Sequence, residues 1–289
     1  MTRNSSKLRR KPQENYKPPE NNQSQQVNTA KSENPFGLSF VTPTEKVKLP
    51  SEGKFYKSSS PLYAMSEVEI KHMTAREEDL LSQVSGDDDQ SIYDKLINGI
   101  LINEGISAED FLEEDKVALL LKSRETGYGK EYRATTYCEA CDNTTEFVFD
   151  LSKTTINKAD DSLIFDADSG CFVTTLPISK VEVKLQRLSD SDLNAIEKEK
   201  TKKEGLKIEF NKTLSTLSKM IVSANDVEDA SMIVKFLEVM PAADAKFILN
   251  FDKTALPTLS TRQIVECSEC GAASEKEAPL SWAFFRTEF

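Results

Sequence analysis

The stretches TTYCEACDNTT (135–145) and IVECSECGAAS (264–274) each hold a C-x-x-C pair, Cys138 with Cys141 and Cys267 with Cys270, and 125 residues separate them. Both pairs are expected at hairpin tips. YRATTY enters and TEFVF leaves the first; TRQIV enters and KEAPLSW leaves the second. A turn with two cysteines two residues apart directs both sulfurs to one side, and its backbone N–H groups can point at the thiolates. Two facing tips supply four sulfurs, the number that tetrahedral Zn²⁺ takes at about 2.3 Å. Gly271, after the last cysteine, suits the tight turn. One C-x-x-C alone is equally a redox pair or chance, but two on hairpins predict one Zn²⁺ site made of Cys138, Cys141, Cys267 and Cys270. Four thiolates leave no open coordination position, so the expected role is structural, a clasp rather than a catalyst. Two separate dithiols and metal-free buried cysteines are the alternatives. The separation itself is unusual, since such pairs commonly lie about 15–20 residues apart. Cys171 opens CFVTTLP and reads as a buried apolar residue.

Around the cysteines, the pattern is α+β: a mixed helical domain with a zinc-ribbon-like β-hairpin element closed by the two distant pairs, behind a disordered N-terminal tail. Residues 1–34 are rich in Asn, Gln, Ser, Lys and Pro and poor in apolar residues, too few to offset ordering entropy. Residues 35–66 read as an extended arm, with Pro35, Pro43 and Pro50 and the turn chemistry of LPSEGKFYKSSSPLY. Residues 67–137 read as an α+β part. SEVEIKHM alternates as a half-exposed strand; Thr74 with Glu77, and Ser107 with Asp110, have capping-box spacing. SIYDKLINGILI places Ile92, Leu96, Ile97, Ile100 and Leu101 on one helical face. The helix expected over 106–129 has Val117, Leu120 and Leu121 on its apolar face and Gly127 near its stop. Residues 138–152 with 257–289 form the zinc-ribbon element, and 153–256 a mostly helical insertion. Within that insertion CFVTTLP and KVEVKLQRL read as strands. Its helical stretch has Ile221, Val222, Ile233, Val234, Phe236, Leu237, Phe247 and Ile248 as core candidates.

The composition narrows the function. The 289 residues are 38% hydrophobic and 29% charged, and no run approaches the roughly 18 apolar residues of a membrane helix. The N-terminus has no apolar core of a secretory signal, and five cysteines, four of them in C-x-x-C pairs, suit a reducing compartment. Residues 1–34 carry seven Lys/Arg and three Asp/Glu, whereas the rest has 30 basic and 45 acidic residues. An acidic body disfavours nucleic acid, whose affinity rests on neutralising phosphates. The basic tail reads as a solvated segment or as a binding arm for nucleic acid or an acidic partner surface.

Enzyme readings fail on the residues. His72 is the only histidine and sits at a strand end. Gly129-Lys130 is followed by Glu131, and Arg124 stands where a P-loop needs its first glycine. DADSG (166–170) starts like a calcium loop, but Cys171 and Pro177 occupy the positions that need Gly and a bidentate Glu. No Ser/His/Asp or Cys/His set assembles, so the chain reads as a non-enzyme.

Several stretches resemble the baseplate hub and hub-assembly proteins of T4-like bacteriophages. They are LPSEGKFY (49–56), VEIKHMTAREEDLL (68–81), LINGIL (96–101), TGYGKEYRATTYCEACDNTTEFVFDLS (126–152) and the aromatic end APLSWAFFRTEF (278–289). The resemblance spans about half of the chain and leaves 155–255 unmatched. It implies a structural or assembly component of a contractile tail, made in the host cytoplasm, docked to other baseplate and tail proteins and located in the virion baseplate. The alternative is a zinc-ribbon adaptor in transcription or translation. Such a ribbon needs a basic surface, and carboxylates outnumber Lys130, Arg133, Arg262 and Arg286 around the cysteines. In the terminus, Trp282, Phe284, Phe285 and Phe289 are candidate partner-binding anchors; the competing reading folds these rings back onto their own domain.

Overall fold

The computed structural model describes residues 42–82, 90–280 and 282–285. The expected tail, residues 1–34, and the start of the expected arm, 35–41, lie outside them. Alternation of Val68 and Ile70 with Glu67, Glu69 and Lys71 makes a strand buried on one face. This β2 (Glu67–Lys71) pairs antiparallel with β1 (Thr44–Lys48), with Val47 opposite Val68. The two strands lay Val47, Val68 and Ile70 on a first core.

The segment between them is not the arm that its prolines suggested. It is extended only over β1, and residues 50–64 fold as successive turns whose side chains reach inward. The reason is internal polar satisfaction. Ser51 donates its backbone N–H and its hydroxyl to buried Asp115, at 3.0 and 2.5 Å, and the Tyr56 hydroxyl donates to the same carboxylate at 2.6 Å. The Tyr56 oxygen in turn accepts the Leu112 N–H. Gly53 has φ +71°, and a Cβ there would lie 2.3 Å from the backbone nitrogen of Met65, so the turn admits only glycine.

Three helices follow: α1 (Ala75–Ser82), α2 (Gln90–Ile100) and α3 (Glu113–Tyr128). The Thr74 N–H and hydroxyl both donate to Glu77, which is the expected cap of α1. Ile92, Leu96, Ile97 and Ile100 of α2 are buried as expected. The helix expected from residue 106 is in fact two pieces. Ser107 and Asp110 cap a single 3₁₀ turn, Ala108–Asp110, and α3 begins afresh after Leu112. Its inward face carries Asp115, Leu119, Ser123 and Arg124; of the expected apolar face Leu121 is buried, while Val117 and Leu120 are only half-buried. Apolar periodicity located that face only in part because three of these inward residues are polar. The stop is Gly129, at φ +86°, rather than Gly127.

Strands β3 (Glu131–Cys138) and β4 (Asn143–Asp150) form a full-length hairpin whose inner face, Tyr132, Ala134, Phe147 and Phe149, completes the first core. The chain then enters β5 (Thr155–Asn157) and the segment read as mostly helical. That description fits only its second half. Strands β6 (Ile164–Asp166), β7 (Cys171–Thr175) and β8 (Glu182–Leu185) come first, followed by α4 (Asp190–Gly205) and α5 (Lys212–Met220). After these come β9 (Ile221–Ala224), α6 (Ala230–Val239) and α7 (Ala242–Thr254). The sheet runs β6-β7-β8-β9, all antiparallel, and with α5, α6 and α7 it encloses a second core around Phe172, Val183, Leu217, Ile233, Ile248 and Phe251. Ile221 and Val222, expected in a helix, lie in β9, where Ile221 pairs with Leu185. Leu237 is buried as expected, Phe236 and Phe247 are half-buried, and Val234 is exposed.

The chain leaves this segment through β10 (Thr258–Ser260), which pairs with β5, so the way in and the way out are zipped side by side. Strands β11 (Gln263–Glu266) and β12 (Ala273–Lys276) make the last hairpin. Its leaving strand is ASEK, not the expected KEAPLSW: pairing stops at Lys276, and Ala278 beyond it is buried. The two cores are joined by side chains of the first body. Phe55 packs on Phe165 and Phe172, both at 6.0 Å between ring centres, and Arg187 on the inserted segment forms an ion pair with Glu114 of α3 at 3.0 Å.

Candidate metal centre

The tips of the two hairpins meet. Cys138 Sγ lies 3.9 Å from Cys270 Sγ, Cys141 Sγ lies 3.9 Å from Cys267 Sγ, and all four sulfurs lie within 4.8 Å of one another. Four sulfurs at about 2.3 Å from a central tetrahedral ion would be about 3.8 Å apart, so the spacing fits one ion with little adjustment. The four sequence-predicted ligands are therefore brought together. Cys171 stands apart, buried at the start of β7.

Both tips use the same backbone. In the first, the Asp142 N–H donates to the Cys138 carbonyl at 3.0 Å; in the second, the Gly271 N–H donates to the Cys267 carbonyl at 2.9 Å. The residue after the second cysteine is left-handed in each, Asp142 at φ +60° and Gly271 at +69°. This tight turn aims N–H groups at sulfur. The N–H groups of Cys141 and Ala140 hold the Cys138 thiol down to about 7, a value at which it gives up its proton readily. Burial pushes the Cys141 thiol up to about 12, and the neighbouring Cys138 adds to that. The Ala272 N–H pulls the Cys270 thiol down, but the Cys267 thiol and burial outweigh it and the group is raised. A cation in the middle would favour the thiolate at every position.

Residues around the sulfurs lock the hairpins together. The Ser268 hydroxyl donates to the Glu146 carbonyl at 3.0 Å and lies 2.7 Å from the Thr145 hydroxyl. The Gln263 side-chain amide spans Asp150, accepting its N–H at 2.9 Å and donating to its carbonyl at 3.3 Å, so a side chain stands in for a strand rung. Sequence reasoning missed these contacts, since isolated Thr, Ser and Gln carry no spacing signal. Asp142 was missed too, although an Asp directly after a C-x-x-C, where its counterpart is Gly271, is a signal for a left-handed position.

The cations near the site already have acidic neighbours. Arg133 pairs with Glu131 and Glu146, Arg262 with Glu277, Lys130 with Asp150, and Lys276 reaches across to Glu139 of the other tip. Arg286 lies outside the described residues.

The aromatic terminus differs from the expected set of partner-binding anchors. Phe284 and Phe285 are 4% and 6% exposed and belong to the first core. Phe284 packs edge-on against Tyr132 at 5.0 Å, and buried Arg124 donates Nε–H to the Phe284 carbonyl at 3.0 Å. These two rings cap their own domain, because the Arg124 guanidinium of α3 holds the Phe284 carbonyl and Tyr132 of β3 offers an aromatic face beside it. The side chain of Trp282 and all of Phe289 lie outside the described residues.

Among the described residues no helix is long and apolar enough to cross a membrane. A family model, T4 bacteriophage base plate protein, matches residues 42–285. No curated protein and no solved structure matches the chain. The family match takes in both cores and both cysteine tips, and the chain belongs to the T4 bacteriophage base plate protein family.

Proposed function

We propose that this base plate family member is a non-catalytic structural or assembly component of the baseplate hub, which works by docking other tail proteins and is held in shape by one Zn²⁺. The observation that carries the baseplate role is the family match over residues 42–285. The zinc reading rests on four sulfurs at tetrahedral spacing on two equivalent turns. Zinc suits them best: thiolates are soft ligands, four of them close the coordination sphere, and a closed sphere has no place for substrate.

The clasp has a definite structural task. Residues 142–266 form a loop between its halves, and the β5–β10 ladder zips that loop a second time. The ion thus fixes the base from which the second core projects. The zinc-ribbon adaptor reading is weaker, because the cations beside the cysteines are paired with carboxylates rather than presented to phosphate. The assembly site is the host cytoplasm and the final one the virion tail. Fractionation of infected cells and of purified particles tests the role. The chain should copurify with hub complexes or assembled tails, and recovery only in the free soluble pool, with normal tails formed in its absence, would overturn it.

A further inference from the structure

The geometry points to a metal-set latch on the last aromatic turn: ion loading at the four cysteines and burial of Phe284 and Phe285 are coupled, so the unloaded chain releases these rings. The inference rests on the metal reading above.

The β11–β12 hairpin has four residue pairs, and between Gln263 and Lys276 its buried apolar side chains are Val265 and Cys267. A two-stranded ribbon with so little core is marginal in water by itself. Its position against β4 is set by the sulfurs and by the polar links from Gln263 and Ser268. The aromatic turn Trp282–Phe285 follows this hairpin in the chain, and residues 277–280 are the described part of the tether between them. That tether is itself pinned: the Ala278 N–H donates to the Thr261 hydroxyl at 3.1 Å, the hydroxyl donates back to the Ala278 carbonyl, and the Tyr132 hydroxyl donates to the Pro279 carbonyl at 3.0 Å.

Tyr132 closes the circuit. It lies on β3, the strand that ends at Cys138, and its ring is the one against which Phe284 packs. One half of the cysteine site and the seat of Phe284 therefore share a strand, while the other half and the tether of Phe284 share a hairpin. An ion that joins the halves fixes the seat relative to the tether. Coupling is reciprocal, so seating the rings must strengthen ion binding by the same factor.

Hydrogen exchange on the full-length reduced chain tests this, with zinc added or stripped by a chelator. Stripping should speed exchange over 261–285 by about tenfold or more while α6 and α7 keep their protection. Phe284→Ala should weaken zinc retention against a competing chelator by about tenfold, as reciprocity requires. Cys270→Ser, at an exposed ligand, should reproduce the exchange pattern of stripped protein. Zinc binding with unchanged exchange over 282–285 would overturn the latch and leave the metal reading standing. A chain that takes up no zinc on titration would overturn both.

Discussion

Asp142 and Gly271 occupy the same place in the two cysteine turns, each left-handed and each donating its N–H to the carbonyl of the first cysteine of its pair. A Cβ at Gly271 would meet nothing within 4 Å, so any cost of filling it is backbone strain alone. Gly271→Ala should lower the stability of the loaded protein by about 1 kcal/mol, and Asp142→Gly should change it by less than about 1 kcal/mol in either direction. Thermal unfolding of the two variants measures this. An unchanged Gly271→Ala protein would mean that the second turn does not need its left-handed residue.

Arg124 is buried and donates to three carbonyls, those of Phe284, Gly129 and Glu131, at 3.0, 3.0 and 3.4 Å. Its guanidinium also lies 5.0 Å from the centre of the Tyr128 ring. Arg124→Met should cost about 3 kcal/mol, since it leaves the buried Phe284 carbonyl and two part-buried carbonyls without this donor. Arg124→Lys should recover little of that, because a single ammonium cannot reproduce the planar fork. Chemical denaturation compares the two, and full rescue by lysine would show that charge rather than fork geometry matters there.

Asp115 gathers Ser51 and Tyr56 and thereby folds the LPSEGKFY turn onto α3. Asp115→Ala should cost about 3 kcal/mol by stranding three donors. Phe55, seated between the cores, should lose its packing in the same variant, so exchange protection of β6 and β7 should fall as well. Loss of stability without that second effect would show that the turn and the second core are independent.

Much of this was legible in the sequence, and the failures have physical causes. The four cysteines, the hairpin β3–β4, the cap at Thr74 and the α2 core face follow from spacing and alternation, which are local. The arm was misread because Ser51 and Tyr56 are drawn in by Asp115, a carboxylate 59 residues beyond Tyr56. The face of α3 was misread in part because its inward Asp115 and Arg124 are satisfied by Ser51, Tyr56 and Phe284, partners distant in sequence. Ile221 and Val222 looked helical because they directly follow a helix, yet the open edge of β8 captured them. Phe284 and Phe285 looked like anchors for a partner because nothing in their own stretch names Tyr132 and Arg124 as their seat.

Asp244 gives the pH dependence. Burial pushes its carboxyl up, but the Ile178 and Ser179 N–H groups, each at 2.8 Å, outweigh it and hold the group below its ordinary value. A carboxyl depressed in the folded chain contributes stability above its unfolded value of about 3.9 and loses it as pH falls through the lower folded value. The wild type should therefore lose stability below about pH 4 more steeply than Asp244→Asn, which has no such charge to protonate. Parallel acid-unfolding curves for the two proteins would contradict this.

The proposed clasp is one ion shared by Cys138, Cys141, Cys267 and Cys270. A bound structural zinc is worth on the order of 10 kcal/mol to the site it closes. Elemental analysis of freshly purified, reduced protein is the direct measurement. One zinc per chain is expected, unchanged in Cys171→Ser and lost in Cys138→Ser. A ratio near zero in the wild type after zinc is supplied, or a ratio that falls with Cys171→Ser, would contradict it.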